Sequence, residues 1–181
     1  MPGGGSDFAP QGGAVPEGKS PKRSGLGLSL KGRALRYLAA REHSRAELER
    51  KLTPYEETPG QLAQVLDELQ AKDFISEARV VESVINRRAA RFGAARIRHE
   101  LQNKGLGSQA VAEAVDNLRA SELERARKVW RRKFGIPAAD AAGRAKQMRF
   151  LAARGFSGEV VSKVTREDFS QAFGHEEAPD D

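Results

Sequence analysis

One pattern, used three times, constrains this chain more than any other feature. The segment Gly93-Ala-Ala-Arg-Ile-Arg-His-Glu-Leu-Gln-Asn-Lys-Gly-Leu106 reads as a short helix with a built-in stop. Ile97 and Leu101 are four apart and share one helix face. Arg96, Arg98, Glu100 and Lys104 point in other directions. Gly105 stands where a helix ends in the left-handed conformation that glycine enters cheaply, and Leu106 can then fold back on the last turn. The pattern returns in Ala145–Phe156, where Lys146, Leu151, Arg154, Gly155 and Phe156 match Arg96, Leu101, Lys104, Gly105 and Leu106. A fainter copy is Ser44–Leu52, with Leu48 and Leu52 matching Ile97 and Leu101. Copies at a near-constant interval predict a repeat protein.

Filling in around the copies gives helix–short helix–helix three times. Residues 1–28 are rich in Gly, Pro and Ser and lack periodic apolar side chains, so they are expected to form a disordered arm. The first repeat spans 29–76. Leu30, Ala34, Leu35 and Leu38 make its first stripe. Ser44 and Glu47 form a capping box, and Pro54 stops the second helix. Thr58, Pro59 and Gln61 are expected to start a third helix, with Leu62, Val65, Leu66 and Leu69 inside and Phe74 as a core plug. The second repeat, 77–120, follows Ser76 as N-cap, with a stripe of Val80, Val81, Val84 and Ile85 and with Gly93 ending its first helix. Ser108 is expected to cap its last helix, with Val111, Val115 and Leu118 inside. The third, 121–173, opens on a Ser121–Glu124 capping box; Leu123, Ala126, Val129, Trp130 and Phe134 line its core. Ala141, Ala145, Met148 and Leu151 carry its middle helix. Ser157 caps a short helix on Val160, Val161 and Val164, and Thr165 to Phe173 add a further turn. Residues 174–181 read as a loose acidic tail. The expected fold is therefore all-α: three tandem three-helix repeats in an elongated, curved molecule with disordered termini.

Several functional classes find no support. No run of 18 apolar residues predicts a membrane span, no apolar signal core stands at the N-terminus, and the absence of cysteine excludes disulfides and thiolate metal sites. His43, His99 and His175 are far apart, lack ligand spacing, and are expected at the surface. The serines fit helix caps, and the carboxylates alternate with Arg and Lys at helical spacing, as solvated pairs do. No catalytic constellation emerges, and no cofactor or metal is expected.

Charge is the remaining signal. The net charge is +6, and the first 28 residues carry +1 and the last eight −4, so residues 29–173 carry +9. Two clusters dominate. Residues 87–104 hold Arg87, Arg88, Arg91, Arg96, Arg98 and Lys104 against Glu100; residues 119–133 hold seven cations, among them Arg127, Lys128, Arg131 and Arg132, against two glutamates. Stacked repeats can place both clusters along one edge, facing a polyanion or an acidic protein. Aromatic side chains are scarce there, so base-specific reading is not supported. Any one of these arginines alone reads as a solvated side chain; the clustering is the signal.

The residues Leu66-Asp-Glu-Leu-Gln-Ala-Lys-Asp-Phe-Ile-Ser-Glu-Ala-Arg79, then Arg87-Arg88, then Gly93 with Arg96-Ile97, Glu100-Leu101 and Lys104-Gly105, resemble the RecX family of bacterial RecA regulators. Ser44-Arg45, Glu47-Leu48 and Lys51-Leu52 resemble that family's N-terminal motif, and the likeness covers about residues 30–170. It implies a monomeric cytoplasmic modulator acting in DNA recombination, repair and the SOS response. Such a protein binds the RecA–DNA filament in its groove, touches the single-stranded DNA there weakly and without sequence preference, and suppresses ATPase, strand-exchange and co-protease activities. The basic residues named above are the expected contacts. The competing expectation is a helix-turn-helix module that binds DNA without RecA, built from Leu30–Phe74. Its supposed reading helix, Gln61–Lys72, is acidic, which argues against it.

Overall fold

A computed structural model describes the fold for residues 27–173 and the side chains through Arg166. Within it are the α-helices α1 (Leu30–Ala40), α2 (Arg45–Leu52), α3 (Gln61–Ala71), α4 (Glu77–Arg88), α5 (Ala94–Asn103), α6 (Ser108–Ala120), α7 (Glu122–Lys133), α8 (Ala141–Ala152) and α9 (Gly158–Phe173). A single 3-10 turn, Thr53–Tyr55, holds Pro54 just past α2. The described residues contain no strand. The arm and acidic tail expected at 1–28 and 174–181 lie outside the described residues, apart from Gly27 and Leu28.

The helices group by threes around separate cores. Leu30, Ala34, Leu48, Leu52, Leu62, Leu66, Leu69 and Ile75 form the first. Val80, Val84, Ala94, Ile97, Leu101, Leu106, Val111, Ala114, Val115 and Leu118 form the second. Ala126, Val129, Trp130, Leu151, Phe156, Val161 and Val164 form the third. Cores this thin belong to repeats that rely on their neighbours, as in other tandem-repeat proteins. The stop signals behave as the repeated pattern demands. Gly105 and Gly155 take φ of 72° and 79°, and Leu106 and Phe156 turn back to donate their amides to Leu101 and Leu151. The Ser44–Glu47 capping box is formed in full.

Several local expectations fail for identifiable reasons. α3 starts at Gln61, not at Pro59. Gly60 takes a left-handed φ of 83°, the Gln61 amide bonds back to the Thr58 carbonyl, and the Glu56 carboxylate caps the Leu62 amide. Phe74 is 49% exposed and Ile75 is the buried residue, because Asp73 at φ 57° turns the chain before the plug position. α4 ends at Arg88, and Gly93 opens α5 rather than closing α4. Ser108 is already helical; Gly107 precedes it and donates its amide to Glu77. Ser121 is the sole residue between α6 and α7, so its hydroxyl donates to the Leu118 carbonyl and no capping box forms. In α8, Met148 is 39% exposed and Gln147 is buried. The Trp130 indole N–H needs an acceptor, and Gln147 supplies one at 3.3 Å while donating to the Ile136 carbonyl. His43, expected at the surface, is buried against the edge of Tyr37. Ser157 does cap the last helix, but α9 runs unbroken through Phe173.

Candidate polyanion interface at the repeat seams

The middle helices of the three repeats meet head to tail. The start of α2 abuts the end of α5, and the start of α5 abuts the end of α8. At the first seam, the Ser44 hydroxyl donates to the Lys104 carbonyl, and Arg50 reaches the Asn103 carbonyl at 3.4 Å. At the second, the amides of Gly93 and Ala95 donate to the carbonyls of Arg154 and Gly155 at 3.0 and 3.2 Å. At the second seam orphan amides of one helix thus satisfy carbonyls at the end of the next, while at the first seam the donors are side chains; in both, the helix dipoles align favourably. The approach is close enough that a Cβ on Gly93 would overlap the Gly155 backbone, and one on Gly105 would lie 2.6 Å from Ala46.

Polar side chains lock both seams. Glu47 accepts from Arg41 at 2.9 Å and from Lys104 at 2.8 Å, with the Ser44 amide at 3.1 Å. Burial raises its pKa, but the Arg41 and Lys104 hydrogen bonds and the Ser44 amide outweigh that and hold it at about 2. Beside it, burial and the Arg41 charge lower the pKa of His43, whose Nδ1 has no hydrogen-bond partner. At the second seam the buried Glu122 accepts from the Ala94 amide at 2.8 Å. Arg125 donates to the carbonyls of Ala89, Phe92 and Leu118, and burial lowers its pKa.

The predicted contact residues therefore divide. Lys104 is drawn into the first seam, its side chain 12% exposed and paired with Glu47; that placement corrects its assignment to an open basic face. Arg88 pairs with Glu100 at 2.9 Å, and Arg127 with Glu124 at 2.5 Å. Arg87 is exposed, with its Nε on the Ser83 carbonyl. Arg91, Arg96, Arg98, Lys128, Arg131 and Arg132 are exposed. Arg88 and Arg96 both approach the ring of Phe92, with guanidinium carbons 5.7 and 5.8 Å from its centroid.

Members of the two clusters, separate in sequence, converge at the second seam. Arg91 from the second repeat and Arg132, Lys133 and Arg154 from the third line one open cavity of about 180 Å³, floored by Val129 and Phe150. Arg154 was not among the expected contacts. It lies 3.5 Å over the Phe150 ring and donates to the Phe150 carbonyl at 3.1 Å. Burial, and then the nearby Arg91 charge, lower its pKa. The sequence signal was present, since Arg154 occupies the position of Lys104 in the repeated pattern. Among the described residues no cluster of His, Asp and Glu suits a metal ion, and no helix is long and apolar enough to cross a membrane.

Known proteins share both the repeat plan and the sequence. Residues 31–69, 76–115 and 120–165 match the family models of the RecX first, second and third three-helix domains. The chain is 61% identical over 139 residues to a protein of Leptothrix cholodnii named regulatory protein RecX, covering 77% of this chain and 88% of that one. A Ralstonia nicotianae protein of the same name is 53% identical over 137 residues, with 76% and 86% covered. A crystal structure of RecX from Lactobacillus salivarius superposes with a TM-score of 0.62 at 20% identity, covering 76% of this chain and 93% of that one, and so shares the fold. Three successive domain matches on a serial three-core architecture, with relatives this close, show that the chain belongs to the RecX family of regulatory proteins.

Proposed function

We propose that this protein binds the RecA–DNA filament as a monomer in the cytoplasm. In this reading it restrains the filament's ATPase, strand-exchange and co-protease activities, and so acts in recombination, repair and the SOS response. The observation that carries the reading is the convergence at the second seam of cations from two repeats. A serial molecule with a cationic flank suits a helical polymer that repeats its own acidic features, because many weak contacts along the flank add up through effective concentration. Phosphate contacts from exposed Arg and Lys are sequence-blind and weaken with salt, as binding to the filament's single-stranded DNA requires. Such a ligand alters the filament by preferring one of its states. The contact set is Arg87, Arg88, Arg91, Arg96 and Arg98 on the second repeat and Lys128, Arg131 and Arg132 on the third.

Adding the purified protein to RecA on single-stranded DNA is expected to lower ATP turnover. Replacing Arg87, Arg88, Arg91, Arg96 and Arg98 together by Gln is expected to weaken that inhibition by about tenfold or more with helicity retained. Undiminished inhibition would move the contact face elsewhere, and no inhibition by the wild type at molar excess would remove the proposal. Tight, sequence-selective binding to duplex DNA without RecA would favour the helix-turn-helix alternative.

A further inference from the structure

The two seams are built on one plan with opposite electrostatics. Position for position, Ser44, Glu47 and Lys104 of the first seam correspond to Gly93, Arg96 and Arg154 of the second. In the first, the carboxylate at the third position of α2 meets the cation at the end of α5, 2.8 Å apart. In the second, that third position is an arginine. Arg96 packs against the Gly155 turn, where a Cβ added to Gly155 would lie 2.5 Å from its amide nitrogen, so the carboxylate that would neutralise Arg154 is missing. Arg91, Arg132 and Lys133 then share a cavity with Arg154, and no carboxylate of a described residue pairs with any of the four.

Helix-end electrostatics do not account for this. Arg132 and Lys133 stand in the last turn of α7 and Arg154 just past the end of α8, where backbone carbonyls favour cations. Two helix ends supply roughly one negative charge together, at about half a charge each. Four cations exceed that, and at α8 the carbonyls of Arg154 and Gly155 already accept from Gly93 and Ala95.

We propose that the cavity between the second and third repeats is a phosphate site on this chain. It takes a phosphodiester group of single-stranded nucleic acid and fastens the two repeats together through Arg91 on one side and Arg132, Lys133 and Arg154 on the other. The bound anion does at this seam what Glu47 does at the first. The cavity is smaller than the ~300–1,000 Å³ pockets that engulf a whole small molecule, so it holds one charged group of a ligand that continues outside. Exposed Lys128, one turn before Arg132 on the same α7, suits an extended polyanion leaving it. Arg154 is pre-set for the task, stacked on Phe150 and tethered to its carbonyl. The site needs no recombinase.

The test titrates the full-length protein with inorganic tripolyphosphate, and separately with a short oligothymidylate lacking terminal phosphates, following backbone amides by NMR. Saturable shifts at Arg91–Gly93 and Phe150–Gly155 are expected from both, each ligand displacing the other. Arg91→Gln and Arg154→Gln should each weaken binding by about tenfold, as loss of one charge-assisted contact does. Arg36→Gln, at an exposed position of α1, should leave it within about twofold. Arg96→Glu restores the first seam's charge arrangement; it should raise the melting temperature without anion and abolish anion binding. Non-saturating shifts, equal effects of Arg91→Gln and Arg36→Gln, or full binding by Arg96→Glu would each overturn the site. Binding of tripolyphosphate alone would overturn its assignment to nucleic acid. Recombinase inhibition without anion binding removes only this site, and anion binding without inhibition removes only the filament reading.

Discussion

One methyl group separates tolerable from intolerable change at the seams. Gly93 has an ordinary φ of −78°, so its backbone would accept any residue, yet a Cβ there collides with the Gly155 backbone, which cannot swing aside. Gly60 is the converse case: its φ of 83° strains any other residue, but a Cβ would meet nothing within 4 Å. Gly93→Ala is therefore expected to cost about 3 kcal/mol of unfolding free energy by overpacking. Gly60→Ala should cost only about 1 kcal/mol, from the left-handed backbone. Urea denaturation of both variants checks the order. The glycines at helix ends were legible in the sequence because a left-handed turn has a local signature. The requirement at Gly93 was not, since its cause lies 62 residues away.

At the scale of elements, caps and seams are made by the same atoms. Ser44 and Ser76 look alike in sequence, each standing one residue before a helix, and each hydroxyl accepts a first-turn amide. Only Ser44 also donates across a seam, to the Lys104 carbonyl, and only Ser44 takes part in a capping box. Ser76→Ala is expected to cost about 1 kcal/mol, the usual worth of an N-cap. Ser44→Ala should cost about 2–3 kcal/mol, because a part-buried carbonyl also loses its donor. Thermal melts of the two variants decide it, and equal losses would mean that the seam bond contributes nothing. Ser108 and Ser121 show the limit of reading caps from residue type. A serine near a helix start caps only if its backbone is extended, and Ser121, the one residue between two helices, is held at φ −106° and ψ 6°.

Over the whole molecule, acid should act first at the seam between the first two repeats. The His43 pKa is lowered in the fold, so the unfolded chain binds that proton more readily; its contribution is complete above about 6.5 and is lost as the pH falls below that value. The folded pKa of Glu47 is about 2 against 4.5 unfolded, so its contribution is complete above 4.5 and disappears as the pH falls toward 2. Both act in the same direction. Hydrogen exchange is expected to show amides of α1–α3 losing protection as the pH drops from 7 to 4, before those of α7–α9. Glu47→Ala should produce the same uncoupling at neutral pH, destabilising by about 3 kcal/mol, because Lys104 and Arg41 are left beside a lost carboxylate. Uniform loss of protection across all repeats would show the chain to be a single cooperative unit.

Residue spacing along the chain was enough to set the helical class, the threefold recurrence, most of the core stripes and the left-handed stops. Each of these depends on residues within a few positions of one another, where spacing and backbone preference act directly. The tertiary structure alone decided that Lys104 is spent on Glu47 while Arg154, its counterpart, faces other cations. It likewise decided that Gln147 rather than Met148 enters the core, and that His43 is buried. A side chain's charge balance and burial depend on which helix end packs against it, and that is set by contacts distant along the chain. Equal positions in a repeat therefore need not have equal partners.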